Sequence, residues 1–554
     1  MKFPIFNIDN PETLKGFELD HALARRTSVG DIPTRAARAY GDRRALVDER
    51  GELTYRQLET QANRFAHAVV GLGVEAREAI AVLAPNCKEY MVAYFGITKM
   101  GAAATLVNML GGQHHLVYAL EQTRPKVAVI HADVLPILKT AADRISFIEH
   151  IIVIGADNDA LSAGFPTAQL HDFERFIADA ASFAPAGVEI EAPLEIAIAD
   201  RQIAQCLFSS GSTSEPKGIM TSHLTVVISG LSSATMLNIQ RRQHQPVTTI
   251  ALPVFHTAAL NMIVIPFLMM GGRVHLLAGF DPEEFGRTVQ QSKSTHGLGL
   301  PLMLEAIHDY SVNTGDKMPH LQLLGYGMAP VPESLYRALT QRFPHADLIM
   351  ASGMTEATPG TICQWPGYDP DKRFTWGTVT AHTDAAIFDP ATNERLSAGE
   401  DGELVLRGPA VMEGYLKPIN EVFSGGWLHS GDIGHLDPDN TFVFTDRLKD
   451  IVKSGGENVS SVVVEQVVLE HPEVVEAAVV GIPDEDWGER VTAVVVPERN
   501  VLEDPIRQAE VRESILQFAR EHLNSSHRPR EVWFVASLPR TGSGKIQKNR
   551  LRDS

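Results

Sequence analysis

The chain has 554 residues, 44% hydrophobic and 21% charged, which is the composition of an ordinary soluble globular protein and not of a disordered one. This length exceeds what one hydrophobic core normally holds, so several packed units are expected. The formal net charge of −19 argues against a general nucleic-acid-binding protein, whose surface should be basic. The negative net charge does not exclude binding of small anionic ligands, because salt screens distant charges.

The cysteines and the apolar segments bear on the cellular location of the protein. The three cysteines, Cys87, Cys206 and Cys363, show no zinc-ligand or redox-motif spacing, which favours reduced thiols and a cytoplasmic protein. The segment Met1 to Gly16 lacks the long apolar core of a signal peptide. The most apolar stretch, Ile263 to Met270, is too short to span a bilayer and is expected to form buried core or a pocket wall.

The first half of the chain alternates helical and strand-like patterns. Thr54 to Leu72 predicts an amphipathic helix, and Glu89 to Met100 predicts a second one. Ala79 to Leu83, Lys126 to Ile130 and His150 to Ile154 are short apolar runs typical of buried parallel strands. Such alternation predicts an α/β fold with helices layered on mostly parallel sheets, which bind ligands beyond the carboxyl ends of their strands.

One such strand end carries the most informative segment. The strand-like run Ile203 to Leu207 leads into F-S-S-G-S-T-S-E-P-K-G at 208–218, hereafter the phosphate loop. Small residues let backbone N–H groups approach an anion, hydroxyls add donors and Lys217 adds charge, so the loop suits phosphate. It is not a Walker A loop, because Pro216 stands where that motif requires glycine. The alternative is a flexible surface linker.

Three motifs in the middle of the chain also suit nucleotide chemistry. P-V-F-H-T at 253–257 places His256 after a strand-like run, although a lone histidine is usually structural. G-Y-G-M-A-P at 325–330 is a small-residue turn that lets a flat ring approach the backbone, with a plain tight turn as the alternative. S-G-M-T-E at 352–356 ends in Glu356, and a carboxylate near a triphosphate is a natural Mg²⁺ ligand.

Two further motifs lie in the last quarter of the chain. G-W-L-H-S-G-D at 426–432 ends in Asp432, an acid able to bind ribose hydroxyls. P-R-T-G-S-G-K at 539–545 presents Lys545 on a glycine-rich loop, with a solvated basic tail as the alternative.

Near residue 446 the sequence pattern changes to that of a smaller α/β unit. The strand-like run Thr441 to Phe444 precedes the charged segment Asp446 to Ser454. The elements predicted after it are helices at Ser460 to Leu469 and Ala509 to Leu523, and strands at Glu476 to Val480, Val491 to Val496 and Glu531 to Ala536. About a hundred residues suit an independent domain. We expect a large multi-layer domain at 1–446, a hinge at 447–450 and a small α+β domain at 451–554.

The order and spacing of these motifs are specific together. From about Asp20 to Arg552 the chain resembles the adenylate-forming superfamily of acyl-CoA synthetases, peptide-synthetase adenylation domains and luciferases, and most of all its fatty-acyl and aryl-CoA ligases. Beside the motifs above, the supporting segments are Gly402-Glu-Leu404, Gly414-Tyr415, Asp446-Arg-Leu-Lys-Asp450 and Ser454-Gly-Gly-Glu-Asn458.

The resemblance implies a two-step ligase that uses ATP, Mg²⁺ and coenzyme A. A carboxylate attacks the α-phosphate of Mg·ATP and gives acyl-adenylate and pyrophosphate; the thiol of coenzyme A then attacks this mixed anhydride and AMP leaves. A carboxylate that approaches a polyanion is repelled, so positioned cations and donors must supply most of the catalysis.

The family motifs also imply roles for individual residues. Ser209, Ser210, Gly211, Ser212, Thr213 and Lys217 would hold the β- and γ-phosphates, Gly327, Met328, Ala329, Pro330 and Ser352 would flank adenine, and Asp432 and Arg447 would hold ribose. Thr355 would contact the α-phosphate, Glu356 would bind Mg²⁺, and Lys545 would bridge the carboxylate and the α-phosphate. For the second step the mobile small domain would swing about Lys449. This movement would replace the Lys545 loop by the face of Lys453, Gly455 and Gly456, past which the pantetheine arm would run.

Two positions depart from the family pattern. Ser214 stands where the phosphate loop usually has glycine, which predicts strain if that position needs a positive φ. Ser352 stands where the family often has an aromatic ring, which predicts modestly weaker ATP binding unless another ring, such as that of Tyr326, substitutes.

By analogy with the family, the acid would lie between three segments of the large domain. Their wall residues are His256, Thr257, Leu260, Gly299, Gly325, Gly327 and Val331, with His256 also a catalytic candidate. They include several glycines and no charged lysine, arginine or acid, which favours a bulky or long apolar carboxylic acid. The alternative is that the glycines serve turns and that other side chains fill the space.

Other functions stay open at this stage. A stand-alone adenylating enzyme that loads a carrier protein, or performs mainly one half-reaction, is the nearest alternative. The presence of Lys545 and Glu356 argues against a non-catalytic acyl-nucleotide-binding protein. A kinase is the least favoured alternative, because the expected product is AMP and not ADP. The expected partners are small molecules and, as possibilities, an acyl carrier protein and a second copy of the chain; neither nucleic acid nor a membrane span is expected.

Overall fold

The computed structural model describes residues 18–156, 161, 165–209, 215–239, 244–327, 331–419, 422–540 and 546–552. Among these residues, no helix combines the length and the apolarity that crossing a bilayer requires. The three cysteines are buried and free, and burial raises the pKa of each thiol to about 12. These thiols are therefore protonated near neutral pH and poorly reactive.

The strands of the described residues, in chain order, are β1 (Arg44–Asp48), β2 (Gly51–Thr54), β3 (Ala79–Leu83), β4 (Ala103–Leu106), β5 (Val127–His131), β6 (His150–Ile154), β7 (Gln169–Asp172), β8 (Ile203–Ser209), β9 (Lys217–Ser222), β10 (Val247–Ile250), β11 (Arg273–Leu276), β12 (His296–Gly299), β13 (Leu323–Tyr326), β14 (Asp347–Ser352), β15 (Ile362–Cys363), β16 (Thr378–Val379), β17 (Asp384–Phe388), β18 (Gly402–Arg407), β19 (Gly414–Tyr415), β20 (Phe423–Ser424), β21 (Trp427–Leu436), β22 (Phe442–Arg447), β23 (Val452–Ser454), β24 (Glu457–Val459), β25 (Val474–Asp484), β26 (Gly488–Pro497) and β27 (Glu531–Phe534).

The α-helices are α1 (Glu18–Arg25), α2 (Asp31–Tyr40), α3 (Tyr55–Gly71), α4 (Lys88–Lys99), α5 (Gly112–Thr123), α6 (Leu135–Lys139), α7 (Phe173–Ala178), α8 (Ala180–Phe183), α9 (His223–Met236), α10 (Thr257–Ala259), α11 (Ile265–Met269), α12 (Pro282–Gln291), α13 (Pro301–Thr314), α14 (Glu333–Arg342), α15 (Ser461–Leu469), α16 (Arg499–Leu502), α17 (Pro505–His522) and α18 (Lys548–Arg552). Short 3₁₀ turns and a π-helical turn, Leu260–Val264, connect some of them.

Two large sheets, both mostly parallel, form the body of the protein. Within the described residues the first has the order β16-β15-β14-β13-β12-β10-β11-β1-β2 and the second has the order β19-β9-β8-β4-β3-β5-β6-β7. Their central strands pair in parallel, and antiparallel pairs occur at the edges. The predicted α/β fold class is therefore confirmed. Parallel pairing places the carboxyl ends of neighbouring strands along one edge of each sheet.

Helices α3 and α4 fill the space between the sheets. Helix α3 begins at a capping box, in which Thr54 and Gln57 each accept a backbone N–H of the other, at 3.2 and 2.8 Å. The two helices approach closely at Gly96, where a Cβ atom would lie 2.5 Å from the ring of Phe65. Phe65 and residues of both sheets belong to one continuous hydrophobic core, so the large domain folds around a shared centre.

A third, antiparallel sheet follows the two large ones. Its order is β17-β18-β21-β20, with β22 paired to β21, and its core includes Ile219 from β9. This sheet was not predicted as a unit, although Thr441 to Phe444 was predicted as a strand and overlaps β22.

The chain ends in a smaller α+β unit with its own core. Strands β24-β23-β26-β25, with β27 beside β26, form an antiparallel sheet apart from the parallel β26–β27 pair. Helices α15 and α17 pack on this sheet through a core that includes Val464, Ile515 and Val532. A smaller carboxy-terminal domain is therefore confirmed.

Acid should destabilise the fold through buried histidines. Burial lowers the pKa values of His223, His275 and His382 to about 4, and Nδ1 of His223 accepts the backbone N–H of Val29 at 3.1 Å. Because the unfolded chain binds more protons between about pH 4 and 6.5, the free energy of unfolding must fall as the pH falls through this range.

We expect that His223→Gln, which cannot be protonated, loses less stability between pH 7 and pH 5 than the wild type, by an amount on the order of 2 kcal/mol. Urea unfolding at both pH values measures this difference. The exposed His244 provides a matched control, since His244→Gln should leave the pH dependence unchanged. An equal pH dependence for His223→Gln and the wild type would contradict the account.

Candidate active site

The phosphate loop connects β8 and β9, two paired strands that lie next to the edge strand β19 of the second sheet. Strand β8 ends at Ser209 opposite Lys217, where β9 begins, so the strands hold both ends of the loop. Lys217 is half-buried. The predicted site residues Ser210, Gly211, Ser212 and Thr213, together with Ser214, lie outside the described residues.

Tyr415 links the phosphate loop to the predicted magnesium ligand. Its hydroxyl donates a hydrogen bond of 2.7 Å to Oε1 of Glu356, and the ammonium of Lys217 lies 5.4 Å from the centre of its ring. Strand β19 pairs with β9, which places Tyr415 opposite Ile219. Burial, the charge of Glu356 and the hydrogen bond raise the pKa of Tyr415, so its hydroxyl stays protonated and donates to the carboxylate.

The backbone around Glu356 is held as well. Glu356 lies in a 3₁₀ turn, Thr355–Ala357, and its carbonyl accepts the N–H of Met412 at 2.7 Å. Thr355 begins this turn and is half-buried. The segment before β19 thus fixes the backbone of Glu356 while Tyr415 fixes its side chain.

The predicted adenine segments lie at the ends of neighbouring strands. Strands β13 and β14 pair in parallel, and the turn after β13 comes so close that a Cβ atom on Gly327 would lie 2.5 Å from the carbonyl oxygen of Ala351. Glycine is required there for this close approach. Ser352 ends β14 and is half-buried. Met328, Ala329 and Pro330 lie outside the described residues.

The two residues predicted to hold ribose form an ion pair. Asp432 and Arg447 are cross-strand partners on β21 and β22, and Nε of Arg447 lies 2.6 Å from Oδ1 of Asp432. The Asp432 side chain is 6% exposed and that of Arg447 is 38% exposed. The buried carboxylate is therefore held in one orientation, with its cation facing outward.

Lys449 lies two residues after Arg447, in a cluster of positive charge. Partial burial, together with the charges of Arg447, Arg552 and Lys217, lowers the pKa of Lys449, although its side chain reaches solvent. Arg552 of α18 donates to the carbonyl oxygen of Lys449 at 3.2 Å and to Asp450 at 3.0 Å. The last helix of the chain is therefore bonded to the predicted hinge.

Gly455 and Gly456 form the tip of a hairpin in the small domain. Their φ angles of 61° and 82° suit the two-residue turn between β23 and β24. The N–H of Gly455 donates to the carbonyl oxygen of Trp487 at 2.8 Å, and the N–H of Lys453 donates to Glu489 at 2.6 Å. Both hydrogen bonds join residues of the small domain to each other. Lys545 lies outside the described residues.

The predicted acyl wall contains a hydrogen-bonded pair that the sequence did not indicate. Nδ2 of the buried Asn261 donates to Oγ1 of Thr257 at 2.9 Å. Asn261 lies in the π-helical turn that begins with Leu260, and such turns are frequent at functional sites. His256 is half-buried one residue before Thr257, and its ring lies 4.9 Å from that of Phe255. Asn261 is therefore a further candidate for acid binding.

The glycines of the acyl wall pack closely against other side chains. A Cβ atom on Gly299 would lie 2.5 Å from Sδ of Met303, and one on Gly325 would lie 2.7 Å from Cδ2 of Leu298. Core side chains thus fill these positions, as in the alternative given above. The glycines of the wall therefore give no support for a bulky acid. The absence of charged side chains among the wall residues still favours an apolar acid.

Comparison with known proteins settles the family. The family model of the AMP-binding enzyme matches residues 33–416, more than half of the chain, and that of the AMP-binding enzyme C-terminal domain matches residues 463–545. The chain belongs to the AMP-binding enzyme family. The adenylate-forming superfamily predicted from the motifs is thereby confirmed.

Individual relatives are similar over almost their whole length. A feruloyl-CoA synthase of Amycolatopsis sp is 31% identical over 95% of this chain and 99% of its own. The 4-coumarate–CoA ligase 1 of Petroselinum crispum is 31% identical over 92% of this chain and 91% of its own. The crystal structure of the anthranilate CoA ligase AuaEII with anthranoyl-AMP superimposes with a TM-score of 0.81 and 25% identity, over 96% and 98% of the two chains.

The predicted activity is confirmed at the level of the reaction. The chain is an AMP-forming acyl-CoA ligase: it activates a carboxylic acid with ATP as an acyl-adenylate and transfers the acyl group to coenzyme A.

Proposed function

We propose that this acyl-CoA ligase activates an aromatic carboxylic acid of the benzoate or phenylpropenoate type. The carrying observation is the composition of the acyl wall, in which Leu260 and Val331 are apolar, Thr257 and Asn261 form a hydrogen-bonded polar pair, and no side chain is charged. Apolar walls with a few placed polar groups suit a ring that carries a hydroxyl or amino substituent. Relatives that act on ferulate, 4-coumarate and anthranilate support this choice over a long alkyl acid.

The large-domain site is proposed to bind Mg·ATP through residues of three sheets. Lys217 would hold the leaving pyrophosphate, Thr355 would contact the α-phosphate, and the pair Asp432 and Arg447 would hold ribose. Glu356 fits Mg²⁺: it is a carboxylate whose Oε1 is already oriented by Tyr415, and Mg²⁺ is usually held by one or two carboxylates together with substrate phosphates. The metal would neutralise phosphate charge that otherwise repels the attacking acid.

The small domain is proposed to serve the second half-reaction by moving about residues 447–450. The two family models end at 416 and begin at 463, on either side of this segment. Lys449 would act as the pivot, Lys545 would serve adenylation, and the face of Lys453, Gly455 and Gly456 would admit the pantetheine arm. The bonds of Arg552 to Lys449 and Asp450 would have to change during such a rotation. A cytoplasmic location and a homodimer belong to the same proposal, in which a carrier protein is the alternative acyl acceptor.

A panel of acids tests the substrate class. Pyrophosphate release should be at least about tenfold more efficient in kcat/KM with ferulate, 4-coumarate or anthranilate than with dodecanoate, malonate or phenylalanine, since one apolar or polar mismatch changes specificity by about this factor or more. Preference for dodecanoate would overturn the aromatic assignment while leaving the ligase activity in place.

Tyr415→Phe tests the orientation of Glu356. The variant keeps the ring beside Lys217 and removes only the hydroxyl that donates to Glu356, so the Mg²⁺ concentration needed for half-maximal adenylation should rise about tenfold. The matched control is Tyr368→Phe, which removes a hydroxyl that lies 2.8 Å from Oγ1 of Thr375 and should leave the Mg²⁺ requirement unchanged.

Magnesium titration of pyrophosphate release, together with calorimetric titration of Mg·ATP, measures the effect in the two variants. Thermal unfolding shows whether both remain folded. The same Mg²⁺ requirement in Tyr415→Phe and wild type would contradict the positioning role.

A further inference from the structure

A cavity opens in the large domain away from the predicted nucleotide and acyl residues. It has a volume of about 550 Å³, within the range of small-molecule sites. It is lined by the turn after β1, the loops after β3 and β11, the ends of β5 and β6, and the start of α12. The site residues discussed above do not line it. We call it the switch-point cavity.

The topology of the second sheet explains the position of this cavity. Strands β3 and β5 are neighbours, but the chain passes from β3 to β4 on one side and from β5 to β6 on the other. The crevice beyond the carboxyl ends of such a pair is where open α/β sheets bind ligands. Asn86, after β3, and His131, at the end of β5, line the cavity there.

The floor of the cavity is rigid because it joins the two large sheets. Nδ2 of Asn86 donates to the carbonyl oxygens of Leu252 and Leu277, at 2.9 and 3.0 Å, and its Oδ1 accepts the N–H of Val254 at 2.8 Å. The buried amide thus bonds the loop after β3 to the strand ends of the other sheet.

Two nitrogen donors converge on one point of the cavity wall. A Cβ atom on Gly155 would lie 3.2 Å from Nε2 of His131 and 3.7 Å from Nη1 of Arg50. A single phosphate or carboxylate group can therefore reach both nitrogens. Gly155 has a φ of 69°, a conformation that other residues rarely adopt, and its missing side chain leaves this part of the wall open.

Both nitrogens are available for donation. Nη2 of Arg50 bonds Glu89 at 2.5 Å, which leaves Nη1 facing His131. Nδ1 of His131 lies 3.3 Å from both the backbone N and Oδ2 of Asp133, so Nε2 carries the proton when Nδ1 accepts, and both ring nitrogens carry one when the imidazole is charged. Asp48 and Glu89, the nearby buried acids, are already paired with Lys88 at 3.1 Å each.

The rest of the lining adds a polar nitrogen and an apolar surface. His275 lines the cavity, and its buried Nε2 has no protein hydrogen-bond partner among the described residues. Leu277 and the ring of Phe280 form the apolar part of the wall. Asp281 and Glu284 are exposed at the rim, where solvent and salt screen their charge.

We propose that the switch-point cavity binds a small organic anion, a phosphate monoester or a carboxylate, whose charged group contacts Arg50 and His131 and whose apolar part packs on Phe280. Such a ligand would bridge the two sheets and stabilise the large domain by mass action. The site is independent of the acid and nucleotide sites, so the proposal stands apart from the proposed function.

Isothermal titration of the full chain with phenyl phosphate, benzoate and benzyl alcohol tests the proposal, with a saturating non-hydrolysable aryl-adenylate analogue present to occupy the nucleotide and acyl sites together. We expect one site for phenyl phosphate or benzoate, the better of the two identifying the anion, and at least about tenfold weaker binding of the neutral alcohol. Arg50→Gln and His131→Gln should each weaken anion binding about tenfold.

Two further variants locate the bound anion. Gly279→Trp should abolish binding, because a side chain there enters open space bordering the cavity. Arg64 is the matched control, a half-buried arginine paired with Glu191 outside the cavity, and Arg64→Gln should bind as wild type. If Arg50→Gln fails to fold, His131→Gln and Gly279→Trp decide. Absence of anion binding below about 1 mM, or binding that all cavity variants retain, overturns the proposal.

Discussion

Parallel pairing of the central strands determines where this protein can bind ligands, because it places the carboxyl ends of neighbouring strands together. Within each large sheet the central strands are parallel, so their carboxyl ends lie along one edge. Asn86 bonds the loop after β3 to Leu252, Val254 and Leu277, which follow strands of the other sheet. Backbone groups at the ends of parallel strands must find partners in loops or in ligands, so small polar residues and charged side chains gather there. The phosphate loop, the Glu356 turn and the switch-point cavity all lie at such strand ends.

The residues proposed to bind the nucleotide bring positive charges together in a chain whose net charge is −19. Lys217 comes from β9, Arg447 from β22 and Lys449 from the segment that follows. Partial burial lowers the pKa of Lys449, and the charges of Arg447, Arg552 and Lys217 lower it further against the opposing charge of Asp450. A triphosphate bound among these cations would relieve that repulsion. Such compensation would suit a reaction limited by repulsion between a carboxylate and a polyanion.

The sequence predicted the elements with the clearest patterns and missed those that depend on distant contacts. The apolar runs Ala79–Leu83 and His150–Ile154 became strands with the predicted bounds, because a buried parallel strand must be apolar on both faces. Tyr415 was recognised as part of a motif, but its bond to Glu356 joins residues 59 positions apart and has no local signal. The glycines of the acyl wall were interpreted as space, whereas side chains such as Met303 fill it. Asn261 and the switch-point cavity likewise depend on packing between segments far apart in the chain.

The central claim is that one site performs two half-reactions with different residues of the small domain. Lys545→Ala in the full-length protein tests it most directly, by measuring acid-dependent pyrophosphate exchange beside thioester formation from supplied acyl-adenylate and coenzyme A. The account predicts that exchange falls by at least about a hundredfold, as expected when a charge is removed from the reaction centre, while thioester formation stays close to the wild-type rate. An equal loss in both assays would contradict it.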